Sequence, residues 1–394
     1  MSDSTSSPRL ETLKSNHTST NSLFSLSKKS YSSLLLNNSN YYYENEEFDD
    51  VDDSYSSKNR DIFTYPYNQY SSGLLTPAPS TEKLDKYVFI LIGLPASGKS
   101  SISSHLIKYF NSNDSTKHLR CSIYNAGQVR RNLSNNGLPM KLANDSSEDL
   151  FNPKNSNKKE KFAKITLNNL LRDVNNDACD IAIFDATNST KARRKFLISE
   201  FSYYNSNVNS SFHIIPIFLQ ISCNDINFIR YNVHNKSFND DYYDKPYRYS
   251  ISDFAKRLRY YCKQSTPFSE IEFEEISSYL KENNLEYEVL YYKICDAGLS
   301  NSNQNFVLST RNHSPFTDMI LYLINRFVEN YSNLYGHEYI TKVKQFFVIR
   351  EEFQRNSTSD MNCTENSMNC LDTLTEIVNE EYINSLQESL MDNT

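Results

Sequence analysis

An α/β fold built on a parallel sheet follows from three observations. Short apolar runs recur at 87–92, 120–124, 180–184, 213–221 and 287–295, which makes five candidate strands, and helical patterns fill the intervals between them. The first run breaks into Gly93-Leu94-Pro95-Ala96-Ser97-Gly98-Lys99-Ser100, which has the G-x-x-x-x-G-K-[ST] form of a phosphate-binding loop. Unbroken apolar runs of this length suit strands covered on both faces. The expected class is therefore a P-loop NTPase of nucleotide-kinase-like α/β architecture, with a five-stranded parallel sheet flanked by helices.

The loop sets the chemistry. Its glycines permit the backbone conformations that turn successive N–H groups inward, and the helix that follows adds its dipole, so residues 93 to 100 form an anion cradle. Lys99 would reach the β and γ phosphates of ATP, and the Ser100 hydroxyl would hold Mg²⁺. A chance glycine turn is a poor rival in a chain with only seven glycines. Ile102, Leu106, Ile107 and Phe110 give the next helix an apolar face.

Composition bounds the rest. The 394 residues carry a net charge of -7, and the block Glu44, Glu46, Glu47, Asp49, Asp50, Asp52 and Asp53 accounts for all of it, since -7 less -7 leaves zero. A nucleic-acid surface is not suggested. Seven scattered cysteines without a C-x-x-C fit reduced thiols and a cytoplasmic location, and no apolar run is long enough to span a membrane. Residues 1–84 are rich in Ser, Asn, Thr and Tyr without helical or strand period and read as a disordered tail, either a substrate for regulatory protein kinases or a passive solvating extension. The core domain is expected at 85–345, followed at 346–394 by a polar linker and one amphipathic helix marked by Leu371, Leu374, Ile377, Val378, Ile383, Leu386 and Leu390.

Taken in order, the second strand ends in Asn125-Ala126-Gly127 and is followed by Arg130 and Arg131, placed for a sugar phosphate or for a solvated helix face. An amphipathic crossover helix at 159–176 leads to the third strand, which delivers Asp185 at its carboxyl end, where a phosphate loop needs an acid near its metal. Asn188, Ser189 and Thr190 can cap the next helix, with Arg193 and Arg194 in its first turns at the same rim. Pro216 argues against a central position for the fourth strand at that residue, or marks a bulge. Cys223 follows that strand, and a tyrosine-rich stretch with Arg230, Lys236, Lys245, Arg248, Lys256, Arg257 and Arg259 suits a lid over phosphates or an exposed helical face.

In this order GLPASGKS, YNAGQVRR, FDATNSTKARR, SCND, DFAKRLRYY and KICDAG resemble the segments of the 6-phosphofructo-2-kinase family over roughly residues 86–330. The resemblance implies that Gly98, Lys99 and Ser100 serve the ATP phosphates and Mg²⁺, and that Asp185 is the catalytic-segment acid. It further implies that Arg130, Thr187, Arg193, Arg257 and Tyr261 hold fructose 6-phosphate, with Lys236 at the junction, Asn232 on the nucleotide side and Cys223 at the active site. Two departures stand out. Ala163 occupies the place of a further sugar-phosphate arginine, with Lys161 and Lys164 as neighbours, and the stretch from Cys223 to Lys236 is one residue short. No histidine stands between Arg and Gly, so the family's phosphatase motif is absent from this sequence and a kinase without bisphosphatase activity is expected. The expected partners are the small-molecule substrate, no nucleic acid and no membrane, with tail-directed protein kinases and a homodimer left open. The rival readings are a phosphate-loop kinase for another small hydroxylated substrate, or an ATP-binding scaffold without catalysis.

Overall fold

The computed structural model of the protein describes residues 83–135, 156–283, 288–299, 306–309, 313–355 and 364–392. Almost all of the tail expected at 1–84, its acidic block included, lies outside them.

Five parallel strands, β1 (Leu84–Ile92), β2 (Cys121–Asn125), β3 (Ile181–Asp185), β4 (Phe212–Ser222) and β5 (Glu288–Cys295), form one sheet in the order β2-β3-β1-β4-β5, closed by a short antiparallel edge strand β6 (Phe306–Ser309). Its four residues, set in a Ser- and Asn-rich stretch, carry too little periodicity to stand out as a strand. Pro216 sits in a central strand after all. It faces Val88 of β1, whereas the ladder to β5 begins one residue later at Ile217, so the missing N–H falls where only one neighbour pairs.

Alternate residues of β1 enter opposite faces. Val88, Ile90 and Ile92 pack beneath α3 (Ser156–Asn175), α4 (Lys191–Ser206) and α7 (Glu270–Glu282), through Leu170, Phe201 and Ile276 among others. Tyr87, Phe89 and Leu91 pack beneath α1 (Lys99–Ser112) and α8 (Pro315–Glu329), through Leu106 and Phe327. Both faces of the sheet are thus covered, as the uninterrupted apolar runs require.

The remaining helices gather on one side. Here α5 (Ile226–Lys236) and α6 (Tyr247–Gln264) pack with α10 (Thr364–Ile377) and α11 (Glu380–Met391) around Val233, Phe254, Leu258, Leu374 and Ile383. The single terminal helix expected from the sequence is therefore two. The break falls at Asn379, whose side chain accepts from Tyr382 N (2.8 Å) and caps α11. The hairpin is pinned by Tyr382 OH donating to Ala255 O (2.7 Å), Arg230 Nε donating to Val378 O (2.8 Å), and a two-pronged Arg248–Glu376 pair at 2.6 and 2.8 Å. Finally, α9 (His337–Arg355) packs Tyr339, Ile340 and Val343 against Phe228 and Tyr231 of α5 and runs without interruption across residue 345.

Candidate active site

The loop joining β1 to α1 is shaped by close approach. A Cβ on Gly93 would lie 2.4 Å from Ile221 O of β4, and Gly98 adopts a left-handed φ of 100° directly before the helix, so both positions call for glycine. Asn188 reaches across with its Nδ2 donating to Leu91 O (2.8 Å), and Gly93 N donates to Thr187 O (3.0 Å), which ties the loop to the segment after β3. Lys99 is buried, with Nζ donating to Gly93 O and Leu94 O at 2.8 and 2.6 Å. Burial pushes its pKa down to about 8, helped by Lys236 and opposed by Asp185.

Asp185 at the end of β3 is buried and meets the first turn of α1. One of its oxygens, Oδ2, accepts from Ser100 Oγ (3.0 Å) and from Asn125 Nδ2 (2.6 Å). Asn125 Oδ1 in turn accepts from Gln128 N (2.8 Å), so this side chain at the end of β2 both positions the acid and opens α2 (Ala126–Asn135). Its place in YNAG was visible in the sequence, but its partner was not.

A second cluster lies on the other side of Lys236. Asp241, in a short helical turn between α5 and α6, accepts from Arg130 of α2 (3.2 Å) and sits 3.6 Å from Arg257 of α6. Arg257 also donates to Tyr242 OH (3.1 Å), which itself donates to Asp253 (2.6 Å). Burial alone would raise the Asp241 pKa, yet Arg130, Arg257 and Arg131 outweigh it and hold the carboxyl below its ordinary value. Burial raises the Tyr261 pKa, and Arg257, Arg130 and Arg193 are close enough to pull against that rise. Arg193 of α4 donates from Nε to Glu160 of α3 (2.8 Å). Four residues expected at a sugar phosphate, Arg130, Arg193, Arg257 and Tyr261, thus converge, while the fifth, Thr187, is held with the loop by its backbone.

Lys236 stands between the two clusters. Burial lowers its pKa, Arg131 and Arg257 lower it further, and the carboxylates of Asp185 and Asp241 pull the other way. One ammonium therefore feels the acid beside Ser100 and the groups around Asp241, and α2 links the same two places, with Asn125 at its start on Asp185 and Arg130 a turn further on Asp241.

One expected residue turns out differently, and two others stand beside the phosphate loop. Arg194 is not at the rim. It is fully buried, donating from Nε and Nη2 to Glu272 (2.7 and 2.6 Å), from Nη1 to Asn188 O (2.9 Å) and from Nη2 to Thr266 O (3.0 Å), because the second residue of an arginine pair on a helix points a further 100° round. Cys223 and Asn232 share a small cavity with the loop residues Ser97 and Gly98, and with His105 and Tyr339. Asn232 Oδ1 accepts from Tyr339 OH (2.8 Å). The Cys223 thiol is pushed well up by burial and then by Asp296, Asp225 and Cys295, which leaves it protonated and poorly nucleophilic.

The acidic member of the second cluster, Asp241, was missed; the signal was an acid amid a basic, tyrosine-rich run. Ala163 is buried in the core, Lys161 is exposed and Lys164 lies over the Phe196 ring. The cation of α3 that comes to the cluster is Lys159, whose Nζ stands 4.8 Å from the Tyr261 ring centre and 5.3 Å from that of Tyr260.

The family model of 6-phosphofructo-2-kinase matches residues 77–313. Among characterised proteins, 6-phosphofructo-2-kinase 1 of Saccharomyces cerevisiae is 31% identical over 226 residues, 56% of this chain and 25% of that one. A protein of Schizosaccharomyces pombe named as a probable 6-phosphofructo-2-kinase is 32% identical over 215 residues, 53% of this chain and 29% of that one. Fructose-2,6-bisphosphatase of Saccharomyces cerevisiae is 30% identical over 214 residues, 53% and 43% respectively. The chain thus spans less than half the length of each of these relatives. With more than half of its residues matched by the family model, the chain belongs to the 6-phosphofructo-2-kinase family.

Proposed function

We propose that the protein transfers the γ-phosphoryl group of ATP to the 2-hydroxyl of fructose 6-phosphate, giving fructose 2,6-bisphosphate and ADP, a product suited to regulating glycolysis, and that it does so in the cytoplasm. Lys236 carries this reading, because its surroundings join the nucleotide half of the cleft to the acceptor half. Residues 93–100 wrap the ATP phosphates, Lys99 moves from its loop carbonyls to the transferring group, and Asn232 and Cys223 line the nucleotide side. Arg130, Arg193, Arg257, Tyr261 and Thr187 hold the sugar phosphate, while Asp241 keeps Arg130 and Arg257 in register.

The hydroxyl of Ser100 and the carboxylate of Asp185, 3.0 Å apart, are hard oxygen donors that fit Mg²⁺. When bound, the ion neutralises charge on the β and γ phosphates. The protein's own contribution is alignment and charge: Lys99 and Lys236 face the equatorial oxygens of a loose transition state, and Asp185 lies where the acceptor's hydroxyl proton can be taken. No helix among the described residues is long and apolar enough to cross a membrane.

Ala163, an apolar core residue where the resemblance implies a sugar-phosphate arginine, favours a second reading, a fold that binds ATP without transfer. Incubation of the purified protein with Mg-ATP and fructose 6-phosphate separates the two. An acid-labile bisphosphate product supports the kinase; binding of both ligands without product overturns it. A parallel incubation with fructose 2,6-bisphosphate, expected to be left intact, tests the proposed lack of bisphosphatase activity.

A further inference from the structure

We infer that Lys159 is a direct ligand of the acceptor's phosphate group, supplying from one helical turn earlier the cation that Ala163 cannot. This rests on the acceptor site proposed above. Residues four apart lie on one helix face, so Lys159 stands on the same side of α3 as Ala163, displaced by a turn towards the amino end of the helix. A crossover helix begins near the carboxyl edge of the sheet, where ligands of such folds are held. Ala163 is enclosed by core residues, whereas the ammonium of Lys159 is brought out over Tyr260 and Tyr261 of α6. The next residue, Glu160, engages Arg193, so two consecutive side chains of α3 reach this cluster.

The electrostatics agree with the geometry. Burial and then the charge of Arg257 depress the Lys159 pKa, which means that two cations are kept near one another. Arg257, Arg130 and Arg193 also act on Tyr261, over which Lys159 lies. Four cations drawn from α2, α3, α4 and α6 around one phenol, less the carboxylates of Asp241 on Arg130 and Arg257 and of Glu160 on Arg193, leave two positive charges, which match a phosphate dianion. A lysine serves here as a point charge on a flexible stem, and its reach makes up for its displacement along the helix.

The competing role is a purely structural clamp between α3 and α6, and Lys159→Met separates the two because it keeps the stem packed on the rings and removes the charge. Direct ligation predicts a KM for fructose 6-phosphate raised about ten- to a hundredfold in both Lys159→Met and Lys159→Ala, with kcat and the KM for ATP unchanged. Lys159→Arg should recover most of the loss. Calorimetry with fructose 6-phosphate alone should show the same weakening in Lys159→Met. A Lys159→Met enzyme with wild-type KM and affinity overturns this inference while leaving the kinase reading intact. A wild-type protein that neither binds nor phosphorylates fructose 6-phosphate overturns both.

Discussion

On the Lys99 side the phosphate loop is one run of backbone, held by Gly93, which β4 crowds, and by Gly98 in a left-handed conformation, with Asp185 brought to it from β3. On the Arg257 side the converging groups are side chains from α2, α3, α4 and α6, arranged around Asp241 and Tyr261. The loop itself inherits its geometry from covalent order. The second side depends on tertiary packing, and on the proposed function its cations would touch the acceptor before as well as during transfer. Damage to the first should therefore appear in kcat, and damage to the second in the acceptor's KM.

The largest expected effect is on the nucleotide side. Lys99→Ala should lower kcat by about 10³ to 10⁵, measured at saturating substrates, and a normal kcat would remove the distinction between the halves. Next comes the adjacent arginine pair. Arg194→Ala strands Glu272 in the core and should cost about 3–5 kcal/mol, seen as a fall of roughly 6–20 °C in Tm, whereas Arg193→Ala should leave Tm nearly unchanged and raise the KM for fructose 6-phosphate.

A smaller effect concerns acid. Burial holds His105 on α1 at a pKa of about 4, with Lys108 assisting, and burial likewise holds His234 on α5 at about 4. Between these values and the ordinary 6.5 the unfolded chain binds more protons than the folded one, so stability falls as pH drops from about 6.5 towards 4. Replacing His105 or His234 by Gln should flatten that limb in thermal unfolding followed against pH. A single transition shifted by either substitution means the two sides unfold as one unit; a substitution that moves one of two transitions separates them. Least of all, Arg257→Ala should raise the KM for fructose 6-phosphate about ten- to a hundredfold with little change in kcat, and an equal fall in kcat and kcat/KM would contradict the proposed division of labour.

How much of this was legible in the sequence follows the same line. Strands β1, β3 and β4 announce themselves because burial on both faces demands continuous apolar runs, and the loop, Ser100 and Asp185 because they follow strands in fixed order. Asp241, Asn125 and Lys159 were not assigned because their roles come from partners far along the chain. Arg194 was misplaced at the rim for the opposite reason: the pair Arg193-Arg194 looks like one feature in sequence, and only the helical turn sends one outward and the other into the core.

The α10–α11 hairpin carries a consequence for biosynthesis. Tyr382 and Arg230 fasten it to α6 and α5, yet it follows β5 by nearly a hundred residues, from Cys295 to Met391. At about 5–20 residues per second, a ribosome needs roughly 5–20 s to cover that distance. For that interval α5 and α6 stand in the nascent chain without their brace.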